Sequence, residues 1–281
     1  MKKYITDFRV VSNTGVKARM FRLILTPADG SPMGECRPGQ FVEVRVDKDP
    51  RVFLRRPISI HAVDPERNEL HLLIQVAGRG TETLATLVEG DLVNLVYPLG
   101  NGYSCVKEAG VEENIPTANE HYLLIGGGVG IAPLLELGKD LKKQGKCVTY
   151  LLGLRSLDAD MEYWLKPYRD VAPVHLTTED GSAGEKGFVT NSRLLTKDAI
   201  GEYSGVRMCG PMPMMKAAVA KLREIGFFEQ EKNLENRCQV SLENKMACGL
   251  GVCLCCVEDT QEGHKCVCSE GPVFNVEDLK W

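Results

Sequence analysis

Six of the chain's eleven cysteines fall between Asn244 and Phe274, in the string NKMACGLGVCLCCVEDTQEGHKCVCSEGPVF. Cys248, Cys253 and Cys256 are spaced C-x4-C-x2-C, with Cys268 further on, an order of thiolates that suits a [2Fe–2S] cluster. Gly249 and Gly251 lie in the first gap, where the loop must curl so that backbone N–H groups face the sulfurs. Each iron would take two thiolates, leaving Cys255 and Cys266 over. Two other readings compete. A structural zinc site would also use four thiolates, but such sites favour two short C-x2-4-C hooks, which the glycine-bearing x4 gap fits poorly. A disulfide framework needs an oxidising compartment, and nothing in the sequence signals one.

With 281 residues the chain has room for two or three domains, each with its own core. A hydrophobic content of 43%, a charged content of 26% and a net charge of -4 without a basic patch argue against a nucleic-acid partner. The start, MKKYITDFRVV, lacks the apolar stretch and cleavage site of a signal peptide, and no apolar run is long enough to span a bilayer. An odd number of cysteines, clustered near one end, points to the reducing cytoplasm.

From Tyr4 to Tyr97 short β-type runs alternate with turn residues: YITDFRVV, ARMFRLIL, QFVEVRV, ISIHAV, ELHLLIQV and DLVNLVY. Six such runs predict an antiparallel β-barrel, with Thr81–Leu87 as its one good helix candidate. Within it, Arg55-Arg56-Pro57-Ile58-Ser59 sets Arg56 on a stiff, extended bend, from which a guanidinium can fork onto a pyrophosphate. Ser59 could reach a ring lying along the strand. Gly78-Arg79-Gly80-Thr81 follows where a strand gives way to the helix, so that backbone N–H groups and the Thr81 hydroxyl could meet a phosphate. The acidic stretch from Ser104 to Glu120 has no apolar periodicity and reads as a linker.

Beyond it strands and helices alternate, which predicts a parallel, doubly wound α/β sheet with ligands at the carboxyl ends of its strands. Three strand ends carry suitable residues. Gly126-Gly127-Gly128-Val129-Gly130-Ile131-Ala132-Pro133 lets a pyrophosphate approach the backbone, although it is not the ordinary G-x-G-x-x-G fingerprint. Glu179 and Asp180 could accept hydrogen bonds from ribose hydroxyls. Cys209-Gly210-Pro211 closes the last strand, where Cys209 could equally be a small buried core residue. Met212, Met214 and Met215 read as helix packing.

An R-P-x-S strand followed by G-x-G-T resembles the FAD domain of the ferredoxin–NADP reductase superfamily, and Pro98-Leu99-Gly100-Asn101-Gly102 extends the likeness. The G-G-x-G-I-A-P turn is similar to that superfamily's nucleotide loop, and C-G-P to the site where it keeps a cysteine beside the nicotinamide. Adding the cysteine tail, the chain resembles across nearly its whole length the electron-transfer subunits of class B dihydroorotate dehydrogenases. That resemblance implies an FAD-binding β-barrel at 1–103, a linker at 104–120, an NAD-binding α/β domain at 121–230 and a small [2Fe–2S] domain at 231–281. It places FAD on Arg56, Pro57, Ile58 and Ser59, on Leu73, Ile74 and Gln75, and on Gly80 and Thr81. NAD would lie on Gly127, Gly128, Gly130, Glu179, Asp180, Cys209, Gly210 and Pro211. The family's fourth cluster ligand sits directly before an acidic-Gly-Pro-Val-Phe ending, which selects Cys268 over Cys266. Two departures stand out: Tyr97 occupies a position where glycine usually precedes Pro98, with altered packing beside the flavin as the expected result, and Cys255 and Cys266 are extra thiols.

The implied function is electron transfer between a separate FMN-containing catalytic subunit, this chain's cluster and FAD, and NAD, in a heterotetramer serving pyrimidine biosynthesis. No protein acid, base or nucleophile is required. The three parts leave no room for a (β/α)8 barrel of about 250 residues that would bind dihydroorotate. A related NAD(P)H:ferredoxin or sulfur-type reductase subunit would share the same core. A zinc-stabilised docking module is the non-enzyme alternative. For the nucleotide, Arg155-Ser156 would favour a 2′-phosphate and Glu179-Asp180 a free ribose diol; the reading favours NAD.

Overall fold

The computed structural model describes residues 2–104, 107–108, 120–229 and 234–281. The chain divides into two compact units, Met1–Gly102 with Asn244–Asp259 and Gly263–Pro272, and Tyr103–Glu243 with Thr260–Glu262 and Val273–Trp281. The C-terminal stretch expected as its own unit at 231–281 is thus divided between them. Most of the expected 104–120 linker lies outside the described residues.

The first unit is built on β1 (Tyr4–Asn13), β2 (Met20–Pro27), β3 (Phe41–Val44), β4 (Arg56–Asp64), β5 (Glu69–Gln75), α1 (Arg79–Leu84) and β6 (Leu92–Leu99). Its six strands close into an antiparallel barrel in the order β1-β2-β5-β4-β3-β6, as the sequence pattern predicts. Alternation decides which side chains face inward: Phe21, Leu23 and Leu25 of β2 and Leu70, Leu72 and Ile74 of β5 meet Phe8, Val42, Val44 and Leu95 in one core. Full burial of each such leucine or phenylalanine contributes about 1.5–3 kcal/mol. The helix starts two residues before the expected Thr81, because Gly78 is extended and Glu82 N–H already bonds to its carbonyl. Tyr97, where the resemblance would put glycine, is a core residue. Its ring lies in the barrel core, 5.0 Å edge-on from Phe8 and 5.6 Å from Tyr4, with its hydroxyl reached by the Gly34 N–H.

Further along come β7 (Lys107–Glu108), β8 (His121–Gly127), α2 (Ala132–Lys143), β9 (Cys147–Leu154), α3 (Ala159–Val171), β10 (Val174–Thr178), β11 (Glu185–Lys186), α4 (Lys197–Ile200), β12 (Gly205–Cys209), α5 (Met212–Glu224), β13 (Leu234–Glu235) and β14 (Cys238–Ser241). The tail adds β15 (Val257–Thr260), β16 (Gly263–Cys266), α6 (Val267–Glu270) and β17 (Val273–Asn275). The second unit holds a seven-stranded sheet, β11-β10-β9-β8-β12-β14-β17, parallel throughout except for β17 at its edge. Central strands covered on both faces are apolar without alternation: Leu123, Leu124 and Ile125 of β8 are all fully buried. β14 and β17 were not expected in this sheet. Their polar residues are satisfied from within: Gln239 donates to the Ser104 hydroxyl at 2.9 Å and to Asn275 at 3.1 Å. Arg207 is fully buried, donating to the carbonyls of Ser104, Val206 and Arg237 and lying over the Tyr122 ring.

Candidate functional site

Two of the sequence motifs converge in the first unit. A Cβ on Gly80 would overlap Arg56 Nε and lie 3.1 Å from Cζ, so the guanidinium rests directly on the start of α1. Arg56 Nη1 donates to the carbonyls of Leu54 and Arg55, which steadies the head group. The Thr81 hydroxyl, expected to reach a phosphate, is engaged in its own turn. It accepts from the N–H groups of Ala77 at 2.9 Å and Gly78 at 3.2 Å and donates to the Gly78 carbonyl at 2.9 Å. Pro57, Ile58 and Ser59 run along β4, and Leu73 and Gln75 along β5. Ile74 points into the barrel core, so only its backbone is left for a ligand.

The cysteine loop belongs to this same unit. Gly249 has φ +66, and a Cβ there would lie 2.6 Å from Glu43 Cγ and 3.1 Å from Leu99 Cδ1. The loop is therefore seated on β3 and the end of β6. The segment after Cys268 is tied to the Pro98–Gly102 string, where Asn101 donates from its backbone to the Gly271 carbonyl at 2.6 Å and from its side chain to Glu270 at 2.9 Å. Thus Pro98-Leu99-Gly100-Asn101-Gly102 holds the cysteine segment against the barrel.

The expected ligands fall into two pairs. Cys248 is hydrogen-bonded with Cys253, and its Sγ accepts from the Leu250 N–H at 3.3 Å. Burial pushes the Cys248 thiol up, but the N–H groups of Leu250, Cys253 and Val252 prevail and pull it down to about 6. Cys256 pairs with Cys268: the Cys268 N–H points at Cys256 Sγ at 3.3 Å, and Cys268 Sγ accepts from Gly251 N–H at 3.1 Å. Burial, with Cys256 alongside, pushes the Cys268 thiol up to about 12. Cys255 is exposed, whereas Cys266 is buried and turns its thiol toward the Gly251 carbonyl. Among the described residues no three metal-ligating side chains gather round one point. Two thiolate pairs with backbone N–H groups aimed at their sulfurs fit the donor set of a [2Fe–2S] cluster, two thiolates to each iron.

Under this loop lies a residue the sequence did not reveal. Glu43 is fully buried and neither carboxyl oxygen has a hydrogen-bond partner. Burial raises it to about 7 against the pull of Arg55, with Cys248 adding to the rise.

In the second unit the two glycine turns interlock. A Cβ on Gly130 would lie 2.5 Å from the Cys209 carbonyl and 2.5 Å from Gly210 Cα, and one on Gly127 would overlap Met214 Sδ. Met214 packs across the strand ends, and Met215 is core. Gly128 is exposed, as is Pro211. Cys209 is fully buried with Sγ 3.9 Å from Glu243 Oε1. Burial, then the Glu243 charge, holds its thiol well above the usual range, so it presents a neutral wall rather than a nucleophile. Glu243 keeps a solvent-facing side, yet the protein crowded around its carboxyl raises it as well. At the neighbouring strand ends Glu179 and Asp180 donate their N–H groups to the carbonyls of Leu154 and Arg155 at 3.1 and 3.3 Å. The acidic pair and the Arg155-Ser156 pair therefore share one edge. The Ser182 side chain and N–H lower the Asp180 carboxyl.

Comparison with known proteins gives two domain matches and a family. The iron-sulfur cluster binding domain of dihydroorotate dehydrogenase B matches residues 243–280, and an oxidoreductase NAD-binding domain matches 124–220. The dihydroorotate dehydrogenase B (NAD(+)) electron transfer subunit of Shouchella clausii is 35% identical over 98% of this chain and 98% of its own length. That of Lysinibacillus sphaericus is 36% identical over 95% of each. Among solved structures, an NADH-dependent reduced ferredoxin-NADP oxidoreductase studied for flavin-based electron bifurcation aligns with TM-score 0.73 and 29% identity, covering 98% of this chain and 90% of that one. A ferredoxin reductase of carbazole 1,9a-dioxygenase shares the fold at TM-score 0.63 and 20% identity, over 80% and 67%. The chain belongs to the family of dihydroorotate dehydrogenase B electron transfer subunits.

Proposed function

We propose that this chain carries electrons between a partner subunit that oxidises dihydroorotate on FMN and NAD, by way of its own [2Fe–2S] cluster and FAD. The observation that carries the reading is the register of the barrel. Glu43, which supports the cysteine loop, pairs across the ladder with Pro57 of the R-P-x-S strand. Neighbouring strands lie about 4.8 Å apart, so the cluster loop and the flavin strand share one rigid wall. When bound, FAD exchanges hydride with a nicotinamide and single electrons with an iron–sulfur centre.

The residues divide the work accordingly. Cys248, Cys253, Cys256 and Cys268 hold the irons, and the N–H groups of Leu250 and Gly251 steady the sulfurs. Arg56, fixed on Gly80, grips the FAD pyrophosphate; Pro57, Ile58 and Ser59 carry the flavin ring, with the backbone of Leu73, Ile74 and Gln75 and the α1 turn at Gly80 and Thr81 beside it. Gly127, Gly128 and Gly130 admit the nucleotide phosphates, Glu179 and Asp180 its ribose, and Cys209, Gly210 and Pro211 shape an uncharged wall for the nicotinamide. The functional division is FAD on 1–103, NAD on 121–230 and the cluster on 231–281. Thiols that must stay reduced for iron support a cytoplasmic location.

The test is co-purification with the FMN-bearing subunit. The complex should reduce NAD with dihydroorotate, while the isolated chain should reduce dyes with NADH and leave dihydroorotate untouched. Dihydroorotate oxidation by the isolated chain would refute the division of labour. The likeness to the ferredoxin-NADP oxidoreductase favours a second reading, a reductase subunit serving ferredoxin. Ferredoxin reduction without any dihydroorotate-linked turnover in the complex would select it.

A further inference from the structure

The inward neighbours of Glu43, Val42 and Val44, fill the barrel core, whereas the Glu43 side chain points outward and is sealed beneath the cysteine loop. Its side chain is 0% exposed and both oxygens are without a hydrogen-bond partner. A Cβ on Gly249 would lie 3.0 Å from Oε1, so the carboxyl touches the residue next to Cys248. Barrel packing does not call for a carboxyl here. An amide or an apolar side chain of like size would be less costly to bury, and an orphaned polar group in a native fold needs an explanation. The charges that bear on it are Arg55 and Arg56 from the flavin strand and Cys248 from the loop.

We propose that Glu43 is a positioning residue for electron transfer, whose carboxylate beneath the Cys248–Gly249 turn lowers the reduction potential of the cluster. The inference rests on the [2Fe–2S] reading of the loop. One-electron reduction adds a negative charge on the sulfur side of the turn and moves no atom. A carboxylate fixed behind that turn opposes the added charge, and salt screens the effect little because water is excluded. Net charge near the sulfurs is one of the protein's levers on such potentials. Arg55 and Arg56 act in the opposite sense, so the potential reflects the balance of these charges.

The experiment compares the cofactor-loaded wild type, Glu43→Gln and Glu43→Asp in the complex with the partner subunit. EPR-monitored redox titration in one alkaline buffer, where carboxyls are ionised, reads the cluster midpoint, and iron and sulfide analysis reads loading. The Gln variant should keep its cluster with a midpoint shifted to more positive values, and the Asp variant should return toward the wild type. Equal midpoints in the wild type and the Gln variant overturn the proposal. Loss of the cluster or of the fold in the Gln variant also overturns it, because the carboxyl would then build the loop rather than set its potential. A wild type without iron and sulfide would instead refute the cluster reading itself.

Discussion

Gly80 separates what secondary structure predicts from what the site demands. It lies inside α1, where alanine is preferred over glycine by about 1 kcal/mol, so by propensity alone Gly80→Ala is neutral or mildly stabilising. The added Cβ, however, would overlap Arg56 Nε and stand 3.1 Å from Cζ and 3.2 Å from Cδ. Arg56 is the flexible partner, so the backbone stays put and the guanidinium swings away, giving up its bonds to Leu54 and Arg55. If that guanidinium grips the FAD pyrophosphate, its displacement removes charge-assisted hydrogen bonds of about 1.5–3 kcal/mol, which weakens FAD binding by about 10- to 150-fold. Flavin titration of the apoprotein measures the loss, and thermal unfolding of the same apoprotein checks that the fold is unharmed. Arg56→Ala sets the ceiling. Wild-type FAD affinity in Gly80→Ala alongside a loss in Arg56→Ala would refute the packing argument; wild-type affinity in both would refute the role of Arg56.

Four further outcomes are expected. Gly249→Ala combines a left-handed φ of +66, costing about 1–2 kcal/mol, with crowding against Glu43 and Leu99 of about 1–3 kcal/mol; Gly30→Ala, at φ +72 with nothing within 4 Å, carries only the first cost, and equal unfolding midpoints for the two variants would contradict this. Serine at Cys248, Cys253, Cys256 or Cys268 should abolish the cluster, while serine at Cys255 or Cys266 should leave iron and sulfide intact. In the cluster-free chain Glu43 is raised from 4.5 to about 7, so the native state binds the extra proton between those values and stability falls as pH rises through that window. The change is of the order of 3 kcal/mol, and Glu43→Gln should flatten the profile measured by denaturant unfolding. Finally, NADH should give a higher kcat/KM than NADPH, because carboxylates at Glu179 and Asp180 welcome a free ribose diol and repel a 2′-phosphate; a preference for NADPH would assign the ribose to Arg155-Ser156, which shares that edge.

The barrel and the parallel sheet were legible because their signals are local. Period-two alternation in β2 and β5 and glycine turns at the ends of β8 and β12 each arise within a dozen residues. The cysteine spacing is a local signal of the same kind. What escaped lay in pairings distant in sequence. Cys238–Ser241 carries a glutamine and two small residues and shows no strand pattern, yet it completes the sheet because Ser104 and Asn275 satisfy Gln239. Tyr97 could not be placed from its motif, since its direction depends on Phe8 and Tyr4 across the barrel.

Glu43 shows the limit most clearly. In QFVEVRV it reads as the solvent-facing member of an alternating strand, and on an isolated barrel it would be. Only the return of the chain two hundred residues later, with Gly249 laid across it, turns an ordinary surface carboxylate into a buried one. The glycines show the same logic in reverse. Gly80, Gly130 and Gly249 look alike as turn residues in the sequence, but the structure distinguishes them by what a methyl group would strike: a side-chain guanidinium, a neighbouring backbone and a buried carboxyl, respectively. A site assembled from such contacts is specified by the sequence at each position and readable only where the partners are known. That is why the cofactor motifs could be found one at a time, while the wall shared by β3 and β4, which sets the cysteine loop beside the R-P-x-S strand, could not.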